Sequence, residues 1–483
     1  MVRKLIPIFM LSALILSALL GACAQAPATT EAPPTTAPMA TEAPQPTSMP
    51  TEMPAPTEVP TEAPTPTMAG PDPTGQTVTF WHVWGTGDPG AAMTAIVDDF
   101  NATNEWGITV EPVDQGAYSD LEDAFNVAIQ SGDLPNLAVG YSNALANWYN
   151  VGTLLDLNTL IDDPNYGMTQ DEIDDFYSAA INNAVVADGA RVGFPISQSA
   201  NVIFYNNTWA EELGFPDPPA NYEEFIAQAC AATQANNTDD NPDNDGTGGL
   251  VMYTGASNIA SWVFADGGDI VAADGSGYAF DTPVVQDVAA FHKDIWDQGC
   301  AYQTESYPNP EFASRKALFV MSSTAGLPYQ LDAFTAEGAF SEDQWSFIPF
   351  VGKDGGEAVN AFGQTIGLVN TTPEQNLAAW LFLKYFSSPE VQAKWINASA
   401  YYPTRASVVP LLSDYTAANP KWETGLNLLQ YGHAEPARPS WATVRRDVQD
   451  TFSQILQSPA DQIEPLLSDL DAAAAEAVSE LDQ

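Results

Sequence analysis

An α/β body of two or three lobes is what the sequence predicts, and three observations lead there. Short β-branched and aromatic runs alternate with longer segments of helical period, which is the pattern of a parallel sheet covered by helices. The chain has 483 residues and 38 Pro, of which 14 fall between residues 24 and 75, so a head and stalk precede a body of 408 residues. That body is long enough for more than one core.

The elements follow in order. Residues 1–22 start with Arg3 and Lys4, continue as an apolar run and end at Leu20-Gly21-Ala22-Cys23, the pattern of a secretion signal. The run is short for a membrane span and carries Pro7. Residues 23–76 are rich in Pro, Thr, Ala and Glu, a linker that cannot bury apolar area and favours extended polyproline conformation. Residues 77–81 are strand-like and run into Gly85 and Gly87, and residues 91–101 carry Met93, Ile96, Val97 and Phe100 at helical spacing. Residues 108–112 read as strand, 118–130 as helix and 137–141 as a buried strand. Ligands in such sheets sit beyond the carboxyl ends of the strands, where Trp81, His82 and Trp84 leave the first one. Residues 202–206 form a further strand, and helices are expected over 222–232, 282–298, 377–386, 389–396, 441–456 and 466–481.

Charge excludes several partners. The chain carries 62 acids and 14 bases, and 56 of the acids with 12 of the bases lie in the body. Such a field opposes nucleic acid and any anionic surface. With 56 carboxylates, some pair falls at glycosidase spacing by chance, so carboxylate proximity is weak support for a surface glycoside hydrolase. No nucleophile elbow with a plausible triad appears, and His82, His292 and His433 lack metal-ligand spacing. Cys230 and Cys300 remain once Cys23 is set aside. In an exported protein they are expected to pair, against the alternative of two separately buried thiols.

Several ordered motifs resemble one family. They are Phe80-Trp81-His82, Phe100-Asn101, Gln115-Gly116-Ala117-Tyr118, residues 130–135 (QSGDLP), Pro195-Ile196-Ser197-Gln198-Ser199 leading into Phe204-Tyr205-Asn206, residues 317–323 (ALFVMSS), Ala378-Ala379-Trp380-Leu381-Phe382 and Tyr401-Tyr402-Pro403-Thr404-Arg405. Together they resemble the extracellular solute-binding proteins of carbohydrate ABC transporters, family 1. Asn136 departs from the family pattern, which commonly has Asp there, with no loss of fold expected. Leu20 to Cys23 resembles the bacterial lipobox, which implies lipidation of Cys23 and anchoring at the extracellular face of the cytoplasmic membrane.

The resemblance implies a two-lobed periplasmic-binding-protein fold, a hinged clamp with discontinuous lobes. Lobe one would hold 77–195 and 317–365, lobe two 196–316 and 366–483, with hinges near 197–205 and Phe319. The implied function is capture of a mono- or oligosaccharide for ABC permease subunits by a monomer that is not an enzyme. A glycerol 3-phosphate or polyol phosphate ligand is the alternative, and a glycoside hydrolase or lectin-like adhesin the alternative of another class. Matching motif positions nominate Trp81, His82, Tyr118, Glu122, Tyr141, Ser199, Trp262, Ser322, Ser323, Gly326, Gly363, Tyr402 and Arg438 for the ligand. A core place competes for each aromatic, hinge hydrogen bonding for Ser199 and Ser323, and an ion pair for Arg438. Arg438 and Arg405 stand out because bases are rare. No cofactor is expected. Asn241, Asp243 and Asp245 imitate the first half of a calcium loop, but Met252 stands where Glu would close it, so an ordinary turn competes with structural calcium.

Overall fold

The computed structural model describes residues 70–482. The 1–22 leader, Cys23 and the linker as far as residue 69 lie outside the described residues. The body begins slightly before the expected boundary, since Gly75 N–H donates to Trp106 O at 2.9 Å and Thr109 N–H to Gln76 O at 3.0 Å.

In the first lobe, β1 (Thr77–His82) alternates and buries Val78, Phe80 and His82. It is followed by α1 (Gly87–Thr103), whose Met93, Ile96, Val97 and Phe100 face the core. Next come β2 (Thr109–Asp114), α2 (Tyr118–Ser131), β3 (Leu137–Gly140) and α3 (Ser142–Asn150). The strands β2 and β3 flank β1 in parallel, as the strand-helix-strand order requires. Asn136 belongs to this sheet's scaffolding, its Oδ1 accepting Thr79 N–H at 2.9 Å.

The chain leaves this sheet after β4 (Phe194–Pro195) and enters a second with β5 (Ser199–Tyr205). That sheet has eight strands: β5, β6 (Gly248–Val251), β7 (Ala301–Tyr302), β8 (Ala317–Ser323), β9 (Ser346–Ile348), β10 (Phe350–Val351), β11 (Glu357–Phe362) and a late β13 (Gly432–His433). Between β11 and β13 the chain returns through β12 (Thr365–Leu368), and the first sheet runs β2-β1-β3-β12-β4.

The lobe boundaries therefore need correction. Residues 317–323 do not belong to lobe one, because β8 pairs with β5 and β6. Residues 366–399 do not belong to lobe two, because β12 pairs with β3 and Phe382 of the Pro373–Phe386 helix packs on Phe80 and Phe100, with ring centroids 5.8 and 5.2 Å apart. The return crossing lies at Gly363 and Gln364, not near Phe319. An apolar run shows that a segment is buried without showing against which sheet.

The two crossings touch. A Cβ on Gly363 would lie 2.4 Å from Ser197 O, so glycine permits this approach. A third segment braces them, since Gln198 and Tyr402 exchange backbone hydrogen bonds at 3.0 and 2.8 Å. In the second lobe, the Tyr222–Thr238 helix packs on β6 and β8 and the Pro283–Asp297 helix on β7, and the Trp441–Gln457 and Ile463–Leu481 helices layer onto Pro283–Asp297 to complete the core. Cys230 and Cys300 form the expected disulfide, Cα atoms 4.7 Å apart, tying the first of these helices to the start of β7.

Candidate functional site

The strand order places three loops at one end of the first sheet: Trp84 after β1, Tyr118 after β2 and Tyr141 after β3. This is the carboxyl end, where α/β sheets bind ligands. The Tyr118 and Tyr141 rings lie 5.0 Å apart and tilted, and Tyr401 and Gln364 adjoin them, with Gln364 Nε2 donating to Tyr401 Oη at 3.2 Å. Burial, then the neighbouring phenols, raises the Tyr118 pKa well above that of a free phenol. The wall is therefore neutral and aromatic. Tyr141 is its exposed member at 38%.

The opposite wall is a hydrogen-bonded network. The Glu435 carboxylate accepts from Asn360 Nδ2 at 2.7 Å, from Trp441 Nε1 at 2.5 Å and from Arg445 Nη1. Arg445 Nη2 also donates to Ser257 Oγ at 2.9 Å. Trp441 and Arg445 sit four residues apart on one helix, hence on one face. A cavity of about 440 Å³ has Tyr141, Ser142 and Asn143 on the first-lobe side and Ser257, Glu435, Trp441 and Arg445 on the other. A second of about 620 Å³ lies alongside in the second lobe, with Asn201, Tyr253, Asn258, Tyr307, Ser322 and Ser323 among its walls. Aromatic faces opposite amides, hydroxyls and a charge pair suit a small polar ligand with apolar faces.

The nominated residues divide accordingly. Tyr141 and Gly363 line the smaller cavity, Ser322 and Ser323 the larger, and Tyr118 backs Tyr141. Gly326 adjoins the Ser322 hydroxyl, where an added Cβ would lie at 3.3 Å. Glu122 is exposed on α2, and local desolvation followed by Asp123 pushes its carboxyl pKa up. Trp81 is half-buried and edge-on to Phe125 at 6.3 Å. His82 is buried, its Nδ1 accepting Trp84 N–H at 3.1 Å, and desolvation lowers its pKa. Ser199 is buried in the β5–β11 pairing.

Three nominations are corrected outright. Trp262 is fully buried in the second-lobe core, its Nε1 donating to Met321 Sδ at 3.3 Å. Tyr402 is a hinge brace, stacked on Trp422 and donating to Trp422 O at 3.1 Å. Arg438 lies outside both cavities, with Nη1 on Asp482 Oδ2 at 3.1 Å and Nη2 on Gly275 O. Arg405 is likewise structural, with Nε on Asp175 Oδ2 at 2.8 Å and its guanidinium over Phe176. In the 241–247 turn, Asn241 Oδ1 accepts Asp243 N–H at 3.2 Å, and Asn244 donates to Asp239 at 2.9 Å. Among the described residues no group of three or more His, Cys, Asp or Glu converges for a metal.

Sequence reasoning missed Glu435, Trp441, Arg445, Asn360, Gln364 and Tyr401. The spacing of Trp441 and Arg445 was the available signal. Nothing in sequence separates Tyr401, at the cleft, from Tyr402, in the hinge.

The walls say what kind of site this is, and the comparison with known families says whose. The bacterial extracellular solute-binding proteins match residues 95–424. The chain belongs to that family. A curated binding protein of Brucella abortus (strain 2308) is 24% identical over 305 residues, 62% of this chain and 70% of its own length. The cyclic α-maltosyl-1,6-maltose binding protein from Arthrobacter globiformis superposes with a TM-score of 0.70 at 22% identity, over 83% of this chain and 99% of its own. The sugar-binding protein MalE of Xanthomonas citri gives 0.70 at 17%, covering 84% and 98%. UgpB from Mycobacterium tuberculosis, solved with glycerophosphocholine, gives 0.64 at 17%, covering 84% and 98%. These likenesses establish the two-lobed fold. Members of the family are solute-binding proteins, not enzymes.

Proposed function

We propose that this chain binds a neutral mono- or oligosaccharide between its lobes and delivers it to the permease of an ABC importer. One observation carries the reading: Tyr141, backed by a neutral aromatic wall, lines the same cavity as the hydrogen-bonding Glu435–Arg445 pair. The sugars named for the Arthrobacter and Xanthomonas structures support it. A polyol phosphate is the second reading, favoured by the glycerophosphocholine held by UgpB. Against it, Arg445, the only basic side chain among those lining the cavity, is already neutralised by Glu435. The reading uses no cofactor, and the calcium-like turn serves as an ordinary turn.

The protein acts as a monomer, tethered outside the cytoplasmic membrane by lipid on Cys23. The lipobox sequence supports this tether. No helix among the described residues is long and apolar enough to cross a membrane.

Calorimetry over sugars, polyols and glycerophosphates tests the proposal, with the bound sugar recovered and analysed. Micromolar binding of an intact sugar with compaction in X-ray scattering is expected. Turnover would restore the hydrolase reading, and binding without compaction would favour a lectin.

A further inference from the structure

The two cavities share their walls and form one groove. Trp441 and Arg445 line the smaller and Gln449 and Ser453 the larger, at every fourth residue of the Trp441–Gln457 helix. Successive members of such a row are neighbours on the helix surface, and the row spans about 18 Å at ~1.5 Å per residue. The sheet makes a second connection. Asn360, which holds Glu435 at the smaller cavity, is in register with Asn201 of β5, and Asn201 with Ser323 of β8. Asn201 and Ser323 line the larger cavity. A third connection is Ser257 in the smaller cavity followed by Asn258 in the larger, where Asn258 Oδ1 accepts from Asn201 Nδ2 at 2.5 Å. Together the cavities reach the upper end of the ~300–1,000 Å³ range of small-molecule sites. One sugar ring fills only part of such a groove.

The larger cavity has its own chemistry. No basic side chain lines it, and Glu305 is the one acid among its lining residues. Among the described residues, the side chains of Gln303, Ser322 and Gln449 hydrogen-bond to no protein group, so their donors and acceptors are open to a ligand. Tyr307 stands at the same cavity 82% exposed, an aromatic face that no core claims. Its loop is held in place, with Tyr253 Oη donating to Ser306 O at 3.1 Å and Thr304 Oγ1 to the same oxygen at 2.8 Å. Free amides and hydroxyls beside an aromatic face suit a further sugar ring. An anion would meet no cation there, and Arg445, in the smaller cavity, is held by Glu435.

We infer that the larger cavity is a second sugar subsite, so that the ligand is an oligosaccharide running from the Glu435–Arg445 end of the groove to Tyr307, and a monosaccharide occupies the first subsite alone. This rests on the sugar-binding function proposed above and selects oligosaccharides within it.

Calorimetry and thermal melting of the full chain test it. The probes are four monosaccharides, each with trisaccharides of the same ring: D-glucose with maltotriose and cellotriose, D-mannose with β-1,4-mannotriose, D-xylose with β-1,4-xylotriose, and D-galactose with β-1,4-galactotriose. They are applied to wild type, Tyr307→Ala and Gln449→Ala. Wild type should bind at least one trisaccharide tenfold or more tighter than its monosaccharide. In each variant that ratio should fall at least fivefold with the melting temperature unchanged, since neither side chain is part of a core. A monosaccharide that binds as tightly as its trisaccharides overturns the inference and leaves the proposed function standing. A ratio unchanged in both variants overturns it too, as does a loss of affinity that comes only with a lower melting temperature. If wild type binds none of these sugars, the proposed function falls and this inference with it.

Discussion

Replacing Glu435 by Gln isolates what the second wall of the cleft depends on. The carboxylate satisfies Asn360 Nδ2, Trp441 Nε1 and Arg445 Nη1 with two acceptor oxygens. Gln has one. Turned to keep Trp441 and Arg445, it presents its NH₂ to Asn360; turned to keep Asn360, it presents NH₂ to the other two. Asn360 and Trp441 are both buried, so the displaced donor cannot reach water, at a cost of about 1–3 kcal/mol. The Arg445 side chain is 40% exposed, so losing its charge partner adds at most ~1 kcal/mol. The sum is about 1–4 kcal/mol. Urea unfolding at constant pH should show it as a lower midpoint with an unchanged slope. Ligand affinity should fall roughly tenfold or more, as ~1.4 kcal/mol of lost positioning would give. A stability change below about 0.5 kcal/mol with the same slope would refute the convergence of these donors on one carboxylate.

Other outcomes follow from single features. Gly363→Ala forces a methyl to 2.4 Å from Ser197 O and should cost roughly 1–3 kcal/mol, with scattering showing altered closure on ligand addition. His292 is fully buried and its pKa is lowered to about 4, below its usual 6.5, by desolvation. The unfolded chain therefore takes up that proton first, so its contribution is complete above pH 6.5 and is lost as pH falls toward 4. In His292→Leu, the stability difference from wild type should shift by on the order of 2–4 kcal/mol across that window, measured by urea titration at each pH. Reducing the Cys230–Cys300 bridge, which spans 70 residues, should lower stability by roughly 4 kcal/mol in the chain-entropy account. Millimolar calcium should leave the melting temperature unchanged, since among the described residues no group of three or more His, Cys, Asp or Glu converges for a metal.

Much of the first lobe was legible because its signals are local. Val78 and Phe80 alternate, Met93, Ile96, Val97 and Phe100 repeat at helical spacing, and strand-helix-strand order fixes a parallel sheet. The same order placed Trp84, Tyr118 and Tyr141 at its carboxyl end. The disulfide was legible from cysteine count and export.

Rare bases were a poorer guide. Arg438 stood out in an acidic body, yet it holds Asp482 near the chain's end, whereas Arg445, seven residues on, reaches the cleft. Side-chain direction settled that, and direction depends on how the Trp441–Gln457 helix docks.

The sequence by itself determined an exported, strongly acidic α/β body behind a proline-rich segment, and the loops that end its first strands. Composition, period and turn residues act over a few positions, so they are readable in one dimension. Only the tertiary structure decided which lobe owns β8 and β12, where the chain recrosses, and that Tyr401 joins the Tyr118–Tyr141 wall while Tyr402 braces the hinge. Those outcomes depend on backbone pairing between segments more than a hundred residues apart, such as β3 with β12. No local pattern encodes the partner.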